Sequence, residues 1–224
     1  MDTIYHDQII RAALGDLFKE ADLRAIFQAN IGQDRLASIL WHPEYHFDGN
    51  DFLTPQCYIE AERQQAVDAI LKKRDRQAAL DAFGRLLHAR QDFYAHSNWI
   101  PLWAEQQGGV EKCRDEAIEL CLDPTAVPTL RAGTAEVLDI LLYLLYRIPL
   151  VGPWIKHLYL PPGSHEAMNI DDPSRGPLFP FVMAAAIKHT RLEFEQLREA
   201  LEAAGGAEAV ALLRGEHSAS SRAA

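Results

Sequence analysis

The chain has 224 residues, 48% of them apolar and 24% charged, which is ordinary globular composition and excludes a disordered chain. The net charge of −10 excludes attraction of duplex nucleic acid or an anionic membrane through bulk charge, because both need clustered Lys/Arg; only a local basic site would serve. Cys57, Cys113 and Cys121 are odd in number and widely spaced, with no CxxC pair, so they form neither a disulfide framework nor a thiolate zinc site. They read as buried free thiols, which points to a reducing compartment.

In chain order the pattern is helical nearly throughout. The opening Met1-Asp2-Thr3-Ile4-Tyr5-His6 has no basic stretch before an apolar run, so no signal peptide is predicted and the location expected is cytoplasmic, with signal-less export as the alternative. Residues 3–30 place Ile9, Ile10, Ala13, Leu14, Leu23 and Ile26 at helical spacing, and Gly32 ends the stretch. Leu36 to Trp41 predicts a short helix, and 45–54 a loop with Gly49-Asn50 as turn chemistry. Residues 57–73 and 75–96 predict two helices closed by Pro101, and 112–121 another, followed by a linker from Pro124 to Pro128. Residues 134–147 are strongly apolar, and Pro149, Gly152 and Pro153 break the chain before Trp154. The LYLPP stretch near 158–162 is the one β-like fragment. A long loop from Pro161 to Pro180 leads into a helix over 181–203, a break at Gly205-Gly206 and a short helix at 207–214. The expectation is a single compact all-α domain over residues 1–214 with a disordered tail at 215–224. No segment reaches the ~20 uncharged apolar residues of a spanning helix.

Residues 88–96 carry the strongest chemical signal. His88, Asp92 and His96 are four apart, so three potential ligands stack on one helix face. Histidine and carboxylate are the usual nitrogen and oxygen donors for zinc. His46 and Asp48, two apart in an extended loop, are close enough to chelate one ion. His6 lies near the start of the first helix. Two further sets compete to complete a site: His165 and Asp172 in the loop Ser164-His165-Glu166-Ala167-Met168-Asn169-Ile170-Asp171-Asp172, and His189 with Glu193, an i, i+4 pair on the last helix.

The stretch LLHARQDFYAHSNWIPLW resembles the signature of the HET-C family, the heterokaryon-incompatibility proteins and their bacterial homologues. The YHDQIIRAAL start, the HFDG segment and the SHEAMNIDDPS loop resemble it as well, across residues 5–195. That family in turn resembles the zinc-dependent phospholipase C and single-strand-nuclease superfamily. The resemblance implies an all-α fold and one to three bound Zn2+ ions, with Mn2+ or another divalent ion as the alternative. It implies ligands among His6, His46, Asp48, His88, Asp92, His96, His165, Asp172, His189 and Glu193. It also implies a ligand from the N-terminal residue, which is absent or replaced here because the chain begins with Met1 and not the superfamily's Trp.

The function this implies is metal-dependent hydrolysis of phosphoesters, with ions lowering the pKa of a bound water to near ~7. Asp92 would bridge ions, and Asp48 would ligate and accept a proton from the attacking water. Phospholipid is favoured over nucleotide as substrate. Residues 137–160 read either as two core helices meeting at a Pro-Gly turn or as a peripheral membrane contact. No duplex nucleic acid is expected, and the oligomeric state is open. The alternative function is a non-enzymatic, HET-C-like cell-death or toxin module with a structural metal.

Overall fold

The computed structural model describes residues 1–134, 137–146 and 148–216. Beyond Gly215 and Glu216, the expected tail lies outside the described residues. The all-α expectation holds: the described residues contain no strand, only isolated bridges between Ser97 and Ala132 and between Thr134 and Ser164. The helices are α1 (Thr3–Leu14), α2 (Glu20–Ile31), α3 (Leu36–Trp41), α4 (Leu53–Asp68), α5 (Arg76–His96), α6 (Trp99–Gln106), α7 (Val137–Tyr146), α8 (Gly152–Leu158), α9 (His165–Met168) and α10 (Phe179–Arg214).

The fold is organised around α5. Asp75 caps its N-terminus by accepting from the Ala78 amide at 3.0 Å, which satisfies one of the orphan donors of the first turn. From Leu86 to His96 every residue is buried, so the helix is covered on all sides. It packs against α2, α4 and α10. The contact with α2 is close because position 84 is glycine. A Cβ there would lie 2.3 Å from the Ile26 carbonyl oxygen and 2.8 Å from the Ala29 Cβ. This approach presses Asn30, one turn beyond Ile26, against His88, one turn beyond Gly84.

Four local expectations are corrected. The stretch 3–30 is two helices, because the amides of Leu17 and Phe18 both turn back to the Leu14 carbonyl and the Phe18 ring is buried edge-on against Phe194 of α10. Residues 112–121 form single 3-10 turns at Val110–Lys112 and Asp115–Ala117, not a helix. There the carbonyls of Ile118 and Glu119 accept from Lys188 Nζ and Trp99 Nε1 (2.8 and 2.9 Å), while Cys113, Ile118 and Cys121 anchor the segment inward. Pro101 does not end α5; it sits in the first turn of α6, where a missing N–H costs nothing. Of the three cysteines, Cys57 is exposed. The break expected at Gly205-Gly206 is present as a kink in α10, with Gly206 at φ 65°. No helix among the described residues is long and apolar enough to cross a membrane.

Candidate metal centre

The four-residue spacing on α5 does what helical geometry requires: His88, Asp92 and His96 face one way, towards α1 and the loop after α3. All three are buried, and Asp92 is fully enclosed. Asp92 Oδ2 lies 3.0 Å from His46 Nδ1 and 3.1 Å from His88 Nε2, and those two nitrogens are 3.1 Å apart. Asp34 Oδ1 closes the group at 3.5 Å from His88 Nε2 and 4.0 Å from His46 Nδ1. Donors at 2.0–2.2 Å around a tetrahedral ion sit roughly 3.4 Å from one another, so this set has the size of a coordination shell.

The hydrogen bonds behind the histidines fix which nitrogen carries the proton. Gln91 Oε1 accepts from Asn30 Nδ2 (3.2 Å) and from His6 Nδ1 (2.6 Å). Asn30 Oδ1 accepts from His88 Nδ1 at 3.3 Å. The His46 carbonyl accepts from His96 Nδ1 at 2.9 Å. In the neutral rings each of these leaves Nε2 as a bare lone pair. His6 Nε2 then faces Asp92 Oδ1 at 3.3 Å and has no hydrogen-bond partner; His46 Nε2 is likewise buried without one. Burial pushes His88 down to about 4 against the pull of Asp92, so its ring is neutral. Burial pushes the Asp92 carboxyl up, but the Met1 ammonium holds it well below the usual carboxylate range. The core of the site is thus one ionised carboxylate facing imidazole lone pairs.

A second group lies beside the first. Asp48 holds His165 Nδ1 at 2.9 and 3.0 Å, and its Oδ1 is 4.0 Å from His96 Nδ1. Asp48, His96 and His165 have ligand atoms close enough to share one ion. Against burial, Asp48 raises His165 to about 9. His96 Nε2 faces Asp171 Oδ1 at 3.0 Å. The Met1 nitrogen, which was not expected to contribute, sits among Asp92 Oδ1, His96 Nε2 and Asp171 Oδ1 at 2.8, 3.1 and 3.1 Å. Burial lowers this amine, yet Asp171 and Asp92 raise it to about 11. Both groups form the floor of a cleft of about 630 Å3 walled by Leu142, Tyr146, Lys156, Pro161 and Arg175.

Two residues aim the loops at this floor. Phe47, between His46 and Asp48, adopts φ 56°, a left-handed conformation rare for an aromatic residue. Its ring is fully buried, 5.0 Å from Phe93 in an edge-on contact, and this packing holds the turn that presents His46 and Asp48 together. Gly133 is the crossing point. Its amide donates to the His96 carbonyl (3.1 Å), and its carbonyl accepts from the Gly49 amide (2.7 Å). A Cβ on it would lie 2.5 Å from the His165 Cα. One glycine therefore ties the end of α5, the His46–Asp48 loop and α9 together.

The structure brings together His6, His46, Asp48, His88, Asp92, His96 and His165. It does not bring in His189 and Glu193. These face the opposite side of α5, where Glu193 accepts from Arg90 Nε (2.7 Å) and Arg63 Nη2 (2.6 Å), and His189 Nδ1 bonds the Tyr94 hydroxyl (2.6 Å). Two guanidinium groups already occupy that carboxylate. Asp172 is also corrected: it accepts from the Ser174 amide at 2.7 Å to start a 3-10 turn, and its neighbour Asp171 makes the His96 contact. Asp34 was missed. It follows α2 as a lone acid after Gly32-Gln33, with no ligand-type neighbour to mark it.

Residues 2–110 match the family model described as the VWA7 N-terminal domain. Over 108 residues the chain is 32% identical to von Willebrand factor A domain-containing protein 7 of Rattus norvegicus, which covers 46% of this chain and 12% of that protein. The protein of the same name from Mus musculus is 31% identical with the same coverage, and that from Homo sapiens is 33% identical over 96 residues, 43% of this chain and 10% of that protein. The matched stretch thus spans about an eighth of its relatives' length. No solved structure matches. These matches overturn the resemblance to the HET-C family and to zinc-dependent phospholipase C. The phosphoester-hydrolase function fails with that resemblance, as do the phospholipase C-like and HET-C-like descriptions, the alternative cell-death module and the catalytic roles of Asp48 and Asp92. The matched stretch carries His6, Asp34, His46, Asp48, His88, Asp92 and His96; His165 and Asp171 lie beyond it.

Proposed function

We propose that this chain is a divalent-cation-binding module. One ion is held by Asp34, His46, His88 and Asp92, and a second by Asp48, His96 and His165 with Asp171 beside them. The carrying observation is His88 Nε2. Asn30 Oδ1 accepts from the N–H of the other ring nitrogen, so a lone pair faces the ionised Asp92 at 3.1 Å. Two electron-rich atoms at that distance repel unless a cation lies between them. A mixed imidazole and carboxylate set suits zinc, manganese and other first-row divalent ions.

The two positions differ in kind. The inner group offers four donors, the number a closed structural site uses, and Asp34, His46 and Asp92 of that group also line the cleft. The outer group offers three donors and borders the cleft, which leaves a coordination position for water or a ligand. Elemental analysis of the purified chain, dialysed against trace zinc and manganese, tests the reading. Bound metal that falls in His88→Ala and Asp92→Asn, with chelation lowering the melting temperature, is expected. Metal no higher than in the dialysis buffer, or unchanged in both variants, would refute it.

A further inference from the structure

The apolar residues left exposed on α7 and α8 are not scattered. Leu141 and Leu144 sit at i and i+3, on one side of α7, and Ile148 is exposed in the turn that follows. Leu150, at φ 69°, and Val151 form the tip, with Leu150 94% exposed. Trp154 (65% exposed) and Leu158 continue the surface along α8, and Tyr159 follows. Singly exposed leucines are ordinary, but a contiguous apolar ridge marks an interaction surface.

The hairpin is built to hold this shape. The Gly152 amide donates to the Ile148 carbonyl (2.8 Å), and the Tyr146 hydroxyl donates to the Tyr159 carbonyl (2.7 Å). A Cβ at Gly152 would lie 2.0 Å from the Tyr146 carbonyl oxygen, so the two helices close on each other only because that residue is glycine. Leu142 turns inward and is buried.

Charge identifies the partner. The chain carries 32 Asp and Glu in 224 residues, yet none falls between Ile140 and His165, where Arg147, Lys156 and His157 do. At the base of the hairpin Glu166 pairs with both Lys156 and Arg175, and Asp172 lies 4.0 Å from Arg175, so the acids begin only at that corner. The result is an apolar tip, an exposed Trp and Tyr behind it, and a stretch of sequence that holds basic residues and no acid. Aliphatic groups enter the acyl region, Trp and Tyr rings favour the headgroup level, and Lys/Arg near the surface are attracted to an anionic leaflet. We propose that the α7–α8 hairpin docks on the surface of an anionic lipid bilayer, with Leu150 and Val151 inserted and Trp154 at the interface. Because the hairpin also contributes Leu142, Tyr146, Pro153 and Lys156 to the cleft, docking brings the cleft mouth to the lipid. This holds whether or not metal is bound.

The test is co-sedimentation of the whole chain with phosphatidylcholine vesicles, with and without phosphatidylserine. Binding to the anionic vesicles is expected, weakened by added salt. It should fall at least tenfold in Leu150→Glu/Val151→Glu, whose sites are exposed enough to leave the circular dichroism unchanged. The tryptophan emission should shift to the blue on binding, and Trp154→Phe should abolish that shift. No binding to anionic vesicles, or binding that the double variant leaves intact, would overturn the proposal. So would a wild-type dimer that the double variant dissolves without any lipid binding, because the ridge would then be an interface between two copies.

Discussion

His6 Nε2 faces Asp92 Oδ1 at 3.3 Å without a hydrogen bond, while the other nitrogen of the same ring is tied to Gln91. The His6 and His88 rings stack at 4.7 Å, so they present their Nε2 atoms to the two oxygens of one carboxylate. A buried polar network tolerates such a contact only when something else satisfies it. The site is therefore understood through the residues that hold its histidines in one tautomer as much as through the ligands themselves.

Gln91 is the hub of that control. It accepts from His6 and Asn30, and its Nε2 donates to Thr190 at 3.1 Å. Outer hydrogen bonds of this type are worth roughly 10–100-fold in metal affinity. Gln91→Leu should weaken metal binding by about that factor, whereas Gln91→Glu, which keeps an acceptor for His6, should retain more. Competition titration against a chelating dye reads both. Equal affinity in wild type and Gln91→Leu would remove the network from the account.

Gly133→Ala separates the two ion positions. The new Cβ must push His165 away, because the atom it meets at 2.5 Å is backbone. Overpacking of this kind costs about 1–3 kcal/mol. The expected outcome is loss of the outer ion with the inner one kept, so the bound metal should fall by one equivalent. Simultaneous loss of both would show that the groups do not act separately.

The α5 ligands were legible because a spacing of four on a helix is a local rule. The same rule misled at His189 and Glu193. Their spacing is as good, but residues two apart on α5 point in opposite directions, and the pair packs against the Arg90 and Tyr94 side rather than the Asp92 side. Asp34 and Gly133 carry no local signal at all; each matters through a contact made far along the chain. The helical class was legible throughout, whereas the segment over 112–121 was not, because its carbonyls bond to distant side chains in place of a helix ladder.

Phe47 links loop strain to the site. Truncating a buried Phe costs about 3–5 kcal/mol, and here the ring also holds a left-handed turn. Phe47→Ala should lower stability by about that amount in urea unfolding and also weaken metal binding, since His46 and Asp48 lose their fixed separation. Phe47→Leu fills most of the volume and should lie between. Metal affinity unchanged in Phe47→Ala would mean that the turn holds itself.

The cluster on the far side of α5 predicts a pH dependence. His189 is pushed down from 6.5 to about 3, first by burial and then by the neighbouring Arg90, so it stays neutral in the fold. The unfolded chain takes up its proton below 6.5, while the folded chain resists until about 3. Stability from this group is complete above 6.5 and is lost as pH falls from there towards 3. At full slope the loss is about 1.4 kcal/mol per pH unit. Burial pushes Glu193 up, but Arg90 and Arg63 bring it down from 4.5 to about 2, so it adds a further loss below 4.5. His88, also lowered by burial, contributes to the wild-type curve, so the useful quantity is a difference. His189→Gln keeps an acceptor for the Tyr94 hydroxyl and removes the titration. Urea unfolding of both proteins between pH 7 and 4.5 should give a gap that narrows or reverses in favour of the variant as pH falls. A gap independent of pH would show that His189 takes up its proton equally in the folded and unfolded chain, and would refute the burial argument.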